Sequence, residues 1–263
     1  MSNEILPGDV TPTLFVGLGG SGGRAVGRIA QHLRARADFG VRYEGLVRFL
    51  AIDTNEADLA KLRRGPGAIQ STVAISDFDK VEYSSLRRGE GFADADPYFT
   101  QWVHPWYRFR EESGAGAGQI RIESRLGFNR AVEVGALASR LGEIVDALRH
   151  HGQGMRKADA AVQVFVYFSV AGGTGSGAFL PFAYILRDAL ADKRARVFGF
   201  AILPEAFEMV AGRNRDGVYA NGYAALKELE SLMKLDTNTS GSPKEITFHY
   251  DPRNKSRTKV ARR

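Results

Sequence analysis

Residues 162–182 read VQVFVYFSVAGGTGSGAFLPF. An apolar run ends in four glycines within six residues, and a helix-like stretch follows at once. Glycine costs roughly 0.5–1 kcal/mol relative to alanine wherever regular structure would serve. The cluster therefore marks a backbone that bends sharply or comes very close to something.

The same sequence of events recurs along the chain. Residues 13–18 (TLFVGL) form a short apolar run that ends in glycines, and 23–37 follow at helical spacing, with Val26, Ile29, Ala30 and Leu33 on one face. Residues 46–53 read as a second strand, 127–149 as one long helix and 161–168 as a buried strand. Then come a helix over 178–192, a strand over 196–203 and a helix over 217–235. Strands that alternate with helices, and that are apolar on both faces, predict an α/β fold with a mostly parallel, Rossmann-like sheet flanked by helices. Residues 63–113 break the rhythm as an insertion. They hold both tryptophans and the run PYFTQWVHPWYRFR, half of it aromatic or histidine. Aromatics mostly serve packing, so a small satellite core is expected there; the other reading is a surface for a protein partner.

Each glycine loop lies at a strand or helix entry. In open α/β sheets ligands bind at the carboxyl ends of the strands. Successive backbone N–H groups and the first helical turn offer unpaired donors to an anion there. Only glycine lets phosphate oxygens reach that backbone without meeting a Cβ, so the loop Ala171, Gly172, Gly173, Thr174, Gly175, Ser176 is read as a phosphate cradle. GLGGSGG at 17–23 (Gly19, Gly20, Ser21 and Gly22 among its residues) and GAGAGQ at 114–119 (ending Gly116, Ala117, Gly118, Gln119) give two more. Tight turns explain any one of these loops; three are harder to explain that way. No lysine follows the glycines, so the P-loop mechanism is absent. A nicotinamide Rossmann fold accounts for the first loop, with Asp53 as the ribose acid, but not for the others. A GxSxG nucleophile elbow fails at Thr174 and Ala178.

AGGTGSG at 171–177 resembles the GGGTGSG phosphate loop of the tubulin and bacterial division-tubulin (FtsZ) superfamily. VGLGGSGGRAV at 16–26, FLAIDTNEADL at 49–59, GAGAGQIR at 114–121 and PEAFE at 204–208 are similar to further pieces of that family, in the same order. The likeness is nearest to the bacterial tubulin-like branch. It implies a GTP/GDP site with Mg2+, with Asp53 positioning the metal's water shell and Glu208 accepting from the sugar. Arg213 and Asn221 fall where the family contacts the nucleotide, Asn221 toward the base. Arg24 replaces an Asn of the division tubulins, and its fork of donors suits a phosphate. The resemblance further implies head-to-tail self-assembly into a homo-polymer, with hydrolysis completed by a neighbouring subunit. The long central helix and water-activating loop of that family have no counterpart after residue 235, so a fragment of a larger protein is expected.

Composition narrows the rest. The absence of cysteine excludes disulfides and cysteine-ligated zinc, and no signal segment or apolar run of membrane-spanning length is present, so a cytoplasmic location is expected. The five histidines are scattered without ligand spacing. Of the net charge of +6, all but about +1 sits in the last thirteen residues. Nucleic acid is therefore an expected partner only through that tail, and 236–263 reads as a polar, basic, solvated end. The nucleotide-binding domain is set at 1–235. Two alternatives stay open: an NAD(P)- or FAD-binding oxidoreductase, and a non-hydrolysing tubulin-like scaffold.

Overall fold

A computed structural model describes residues 10–75, 107, 118–133, 136–154, 161–190, 194–233, 245–249 and 257–261. Five parallel strands form one sheet: β1 (Thr13–Leu18), β2 (Val47–Asp53), β3 (Ser71–Ala74), β4 (Val162–Ser169) and β5 (Ala195–Ile202), in the order β3-β2-β1-β4-β5. The helices are α1 (Gly19–Arg34), α2 (Phe39–Arg42), α3 (Glu56–Leu62), α4 (Arg121–Glu133), α5 (Ala136–Gly154), α6 (Gly173–Ala189), α7 (Glu208–Ala211) and α8 (Arg215–Met233). This is the α/β architecture expected from the alternating pattern.

Strand alternation sorts the core into two faces. Leu14, Val16, Leu18, Val162, Val164, Val166 and Phe168 point to the side covered by α4, α5 and α6, where they join Phe128, Leu141 and Phe182. On the other side Phe49 and Ala51 pack with Val26 and Ala30 of α1 and Leu59 of α3, and Phe15 and Tyr167 lean on that cluster. Four phenylalanines form a row across that second face. Phe49, Phe15, Phe165 and Phe198 occupy paired register positions, with ring centroids 5.7, 5.4 and 5.2 Å apart. The row runs out of cover at the edge: Val197, Phe198 and Phe200 of β5 are exposed. β5 is thus apolar on both faces, as its sequence reads, yet largely exposed.

Four boundaries differ from expectation. The helices α1 and α6 begin at Gly19 and Gly173, so most of the glycine stretches form first helical turns, drawn in by tight contact with neighbouring strands. The helix expected over 127–149 is two, α4 and α5, because an apolar pattern that continues across the break hides it from periodicity. Residues 71–74, inside the stretch read as an insertion, pair with β2 as the edge strand. The tail, read as a polar, basic end with no regular structure assigned, contains an antiparallel pair, β6 (Glu245–His249) with β7 (Arg257–Ala261). Apart from Tyr107, which donates to Glu123 Oε1 at 2.7 Å, the aromatic cluster lies outside the described residues.

Candidate functional site

The strand order reverses direction between β1 and β4, which makes this the topological switch point where α/β sheets bind ligands. Leu18 and Phe168 are register partners, so the chains leaving β1 and β4 emerge side by side. Leu18 also pairs with Ile52, which puts Asp53 at the same level on the other flank. The two glycine turns touch: a Cβ on Gly19, whose φ is +73°, would lie 3.1 Å from Thr174 Cβ and 3.2 Å from Gly175 N.

The glycines divide by what surrounds them. A Cβ on Gly22 would meet the Tyr167 carbonyl oxygen at 2.1 Å, one on Gly175 the Ser169 oxygen at 2.5 Å, and one on Gly173 the backbone of Gln119 and Ile120 at 2.8–2.9 Å. Packing alone requires those three. Gly172 has no atom within 4 Å of its Cβ position, and Gly20 has none nearer than Arg24 Nη1 at 3.5 Å. At these two positions the protein itself leaves room that a side chain would take.

Electrostatics favour an anion in that room. Neither α1 nor α6 has a side-chain cap, and neither has an acid in its first turn. By contrast, α3 is capped by Asn55, whose side chain accepts from Asp58 N, and it carries Glu56 and Asp58 in its first turn. The first N–H groups of α1 and α6 thus keep their donors and their dipole charge for something else. Arg24 adds a cation at the α1 end, donating to Ser21 Oγ at 3.3 Å.

Asp53 is buried and ties the end of β2 to the glycine turn of α6. Its Oδ1 accepts from Thr54 N at 2.7 Å, Thr174 Oγ1 at 3.0 Å and Asn55 N at 3.3 Å. Thr54 and Thr174 share a further hydroxyl bond of 2.7 Å. Burial pushes the Asp53 carboxyl above its ordinary range, against the opposing pull of the Thr174, Asn55 and Thr54 hydrogen bonds. Its Oδ2 and that of Asp58 both lie within 4 Å of the Gly20 Cβ position, at 3.8 and 3.7 Å. Two carboxylate oxygens beside an anion cradle suit a hydrated divalent cation held chiefly by phosphate oxygens. Among the described residues no group of three His, Cys, Asp or Glu side chains gathers to hold a metal by itself.

The remaining candidates are placed as follows. Ser176 is fully buried, and its hydroxyl donates back to the carbonyls of Gly172 and Gly173, so its side chain serves the turn. Ala171 donates its N–H to Ser169 Oγ at 3.1 Å. Gly118 and Gln119 both have positive φ, +50° and +66°, and this loop is held from α8 and the turn before it. Asn221 Nδ2 donates to Gln119 O at 2.8 Å and to Ala171 O at 3.1 Å, while Asn214 donates to Gln119 Oε1. Asn221 therefore joins the third loop to the phosphate turn. Glu208 Oε1 accepts from Arg215 at 3.0 Å and from the Tyr219 hydroxyl; these two partners hold its carboxyl below the usual range. Arg215 thus stands where Arg213 was expected; of Arg213 only its backbone, in the turn Gly212–Asn214, is described. Gly116 and Ala117 lie outside the described residues.

Sequence reasoning missed two pairs of side chains that face this region. Thr54 and Asp58 lie within the run FLAIDTNEADL, from which only Asp53 was singled out. Arg121 and Arg125 follow the third loop four residues apart, and that helical spacing was the available signal.

No curated protein sequence matches. Among solved structures the chain resembles TubZ of Bacillus thuringiensis serovar israelensis in a GTPγS-form protofilament, at 14% identity and a TM-score of 0.45, over 88% of this chain and 45% of that one. It resembles CetZ from Methanosaeta thermophila at 16% identity and TM-score 0.40, over 88% and 57%. CetZ1 from Haloferax volcanii, a GDP-bound monomer, follows at 19% and 0.39, over 82% and 46%. The chain thus spans roughly half the length of these structures. A family profile described as tubulin like matches residues 14–262, nearly the whole sequence including the β6–β7 pair. The chain belongs to the tubulin-like family.

Proposed function

We propose that this chain forms the guanine-nucleotide-binding half of a tubulin-like protein that assembles with copies of itself, head to tail, in the cytoplasm. The observation that carries the reading is the meeting of two uncapped helix N-termini at the switch point, where a Cβ on Gly20 or Gly172 would meet no atom closer than 3.5 Å. Family membership supplies the nucleotide class. In this reading the N–H groups of the first turns of α1 and α6 hold the phosphates, and Arg24 adds charge. Asp53 and Asp58 orient the water shell of Mg2+, which when bound neutralises phosphate charge. The loop ending at Gln119 closes over the terminal phosphate, held by Asn221. The cluster Glu208, Arg215 and Tyr219 lines the sugar side, where Glu208 accepts from a ribose hydroxyl. Hydrolysis is completed by a carboxylate of the neighbouring subunit. A dinucleotide oxidoreductase fits less well, since it accounts for the glycine turn at α1 but not for the second one, at α6, that touches it.

The test uses the full-length gene product. Nucleotide released from the purified protein is identified by chromatography, and pelleting and phosphate release are followed with GTP and Mg2+ across a dilution series. GTP or GDP in the released fraction, with turnover that rises with protein concentration, is the expected result. Recovery of NAD(P) or FAD, or turnover per molecule independent of concentration, would overturn the proposal.

A further inference from the structure

Pro181 lies inside α6. Proline has no N–H, so the carbonyl of Gly177, four residues back, loses its helical donor and is crowded outward by the ring. A buried carbonyl in that position needs another partner. Nε of Arg125, on α4, donates to Gly177 O at 2.7 Å in a buried contact. One turn earlier on α4, Arg121 donates from Nε and Nη2 to the Ser176 carbonyl at 3.3 and 3.1 Å. Both guanidinium groups then meet one carboxylate, Glu228 of α8, at 2.8 and 3.0 Å. The two helices come this close because residue 177 is glycine: a Cβ there would lie 2.5 Å from the Arg121 carbonyl oxygen.

We propose that Arg125 is a positioning residue for the phosphate-facing turn of α6. Its guanidinium replaces the helix hydrogen bond that Pro181 removes, and through Glu228 it ties that turn to the helix that carries Asn221. The proposal rests on the nucleotide reading of the glycine turns. Fixing the Gly177 carbonyl fixes the peptide planes that precede it, and hence the aim of the N–H groups of residues 173–175 into the mouth. A planar, always-charged fork can hold a carbonyl with one nitrogen and a carboxylate with another, which an ammonium point charge does less well.

A double-mutant cycle in the full-length protein tests this, pairing Arg125→Met with Pro181→Ala. The alanine restores an N–H four residues after Gly177. With Pro181 present, Arg125→Met should weaken binding of a fluorescent GTP analogue about tenfold, the scale of one charged hydrogen bond, and speed hydrogen exchange over residues 173–180. In the Pro181→Ala background the loss should shrink to under about threefold, because a neutral helix bond now fills the same role, and exchange should return toward wild type. A residue acting only through its ion pair with Glu228 would be indifferent to position 181, so equal losses in both backgrounds overturn the proposal. If Arg125→Met alone fails to fold, rescue by Pro181→Ala supports the surrogate bond, and failure to rescue overturns it. Exchange reads the cycle without ligand: rescued exchange in a protein that never binds nucleotide would leave the surrogate bond standing and overturn the functional reading.

Discussion

Gly172→Ala separates the two explanations for a glycine-rich turn more cleanly than a change at any neighbouring glycine. Gly172 caps α6 at φ −84°, ψ 173°, extended backbone that any residue adopts, and nothing lies within 4 Å of its Cβ position. Alanine there should stabilise the free protein by about 0.4–1 kcal/mol, because it narrows the unfolded ensemble without strain in the folded one. For a chain of this size that corresponds to a melting temperature higher by about 1–4 °C. The ligand meets the opposite effect. A methyl group in the phosphate's approach costs at least one hydrogen bond from backbone N–H to a charged oxygen, worth about 1.5–3 kcal/mol, or roughly 10- to 150-fold in affinity. Gly175→Ala is the contrast: its Cβ would sit 2.5 Å from the Ser169 carbonyl oxygen, so it should lower the melting temperature, by the ~1–3 kcal/mol typical of overpacking. Differential scanning fluorimetry and titration with a fluorescent GTP analogue at fixed salt and Mg2+ measure both quantities. A Gly172→Ala protein that binds nucleotide within twofold of wild type would refute the reasoning, as would one that melts several degrees lower.

Three further outcomes are expected. Because burial raises the Asp53 carboxyl above its unfolded value of about 3.9, the folded state favours the protonated form; stability is highest below that pH and declines as pH rises through the folded value. Asp53→Asn should therefore flatten that decline and melt higher than wild type at pH 8 while losing Mg2+-dependent nucleotide affinity, and an unchanged pH slope in thermal melts would count against it. Asn221→Ala removes two donors from loop carbonyls, so GTP and ATP affinities should fall together by about 3- to 10-fold; selective loss of GTP-over-ATP discrimination would mean that the side chain reads the base instead. Asn129 is fully buried on α4, and among the described residues neither of its amide atoms has a hydrogen-bond partner, so Asn129→Leu should raise stability by up to the ~1–3 kcal/mol penalty of an unmet polar group; a lower unfolding midpoint in urea would refute this.

The parts of the fold legible in the sequence are those where burial dictates composition. β1, β2 and β4 are flanked by other strands, so their apolar runs lie within a residue or so of the observed strands, and Asp53 could be placed at a strand end beside the first glycine turn. Features carried by few residues were not legible. β3 is four residues long, with only Val73 buried among them, and the Glu245–His249 strand lies in a polar stretch whose charge dominates its composition. The exposure of β5 was equally hidden, since its apolar letters match those of a central strand and only its place at the sheet edge differs. Arg215 reaches Glu208 across the single helical turn α7 and the tight turn Gly212–Asn214, a path that follows no fixed period, which is why a motif count pointed to Arg213 instead.

The glycines carry the same lesson within the site itself. Gly17, Gly22, Gly173, Gly175 and Gly177 are each required by protein backbone within 3 Å of their Cβ positions, so they would be glycine in a protein that bound nothing. Their density still pointed to the right place, for a physical reason. Two helices whose first turns press onto adjacent strand ends must be bare of side chains there, and the same bareness leaves their N–H groups reachable. Close packing and anion access thus select the same residue at neighbouring positions. Among the glycines of the two described turns, Gly20 and Gly172 separate the two demands, because a Cβ there would meet no atom closer than 3.5 Å. The functional claim stands on those two positions, and on the uncapped helix ends beside them.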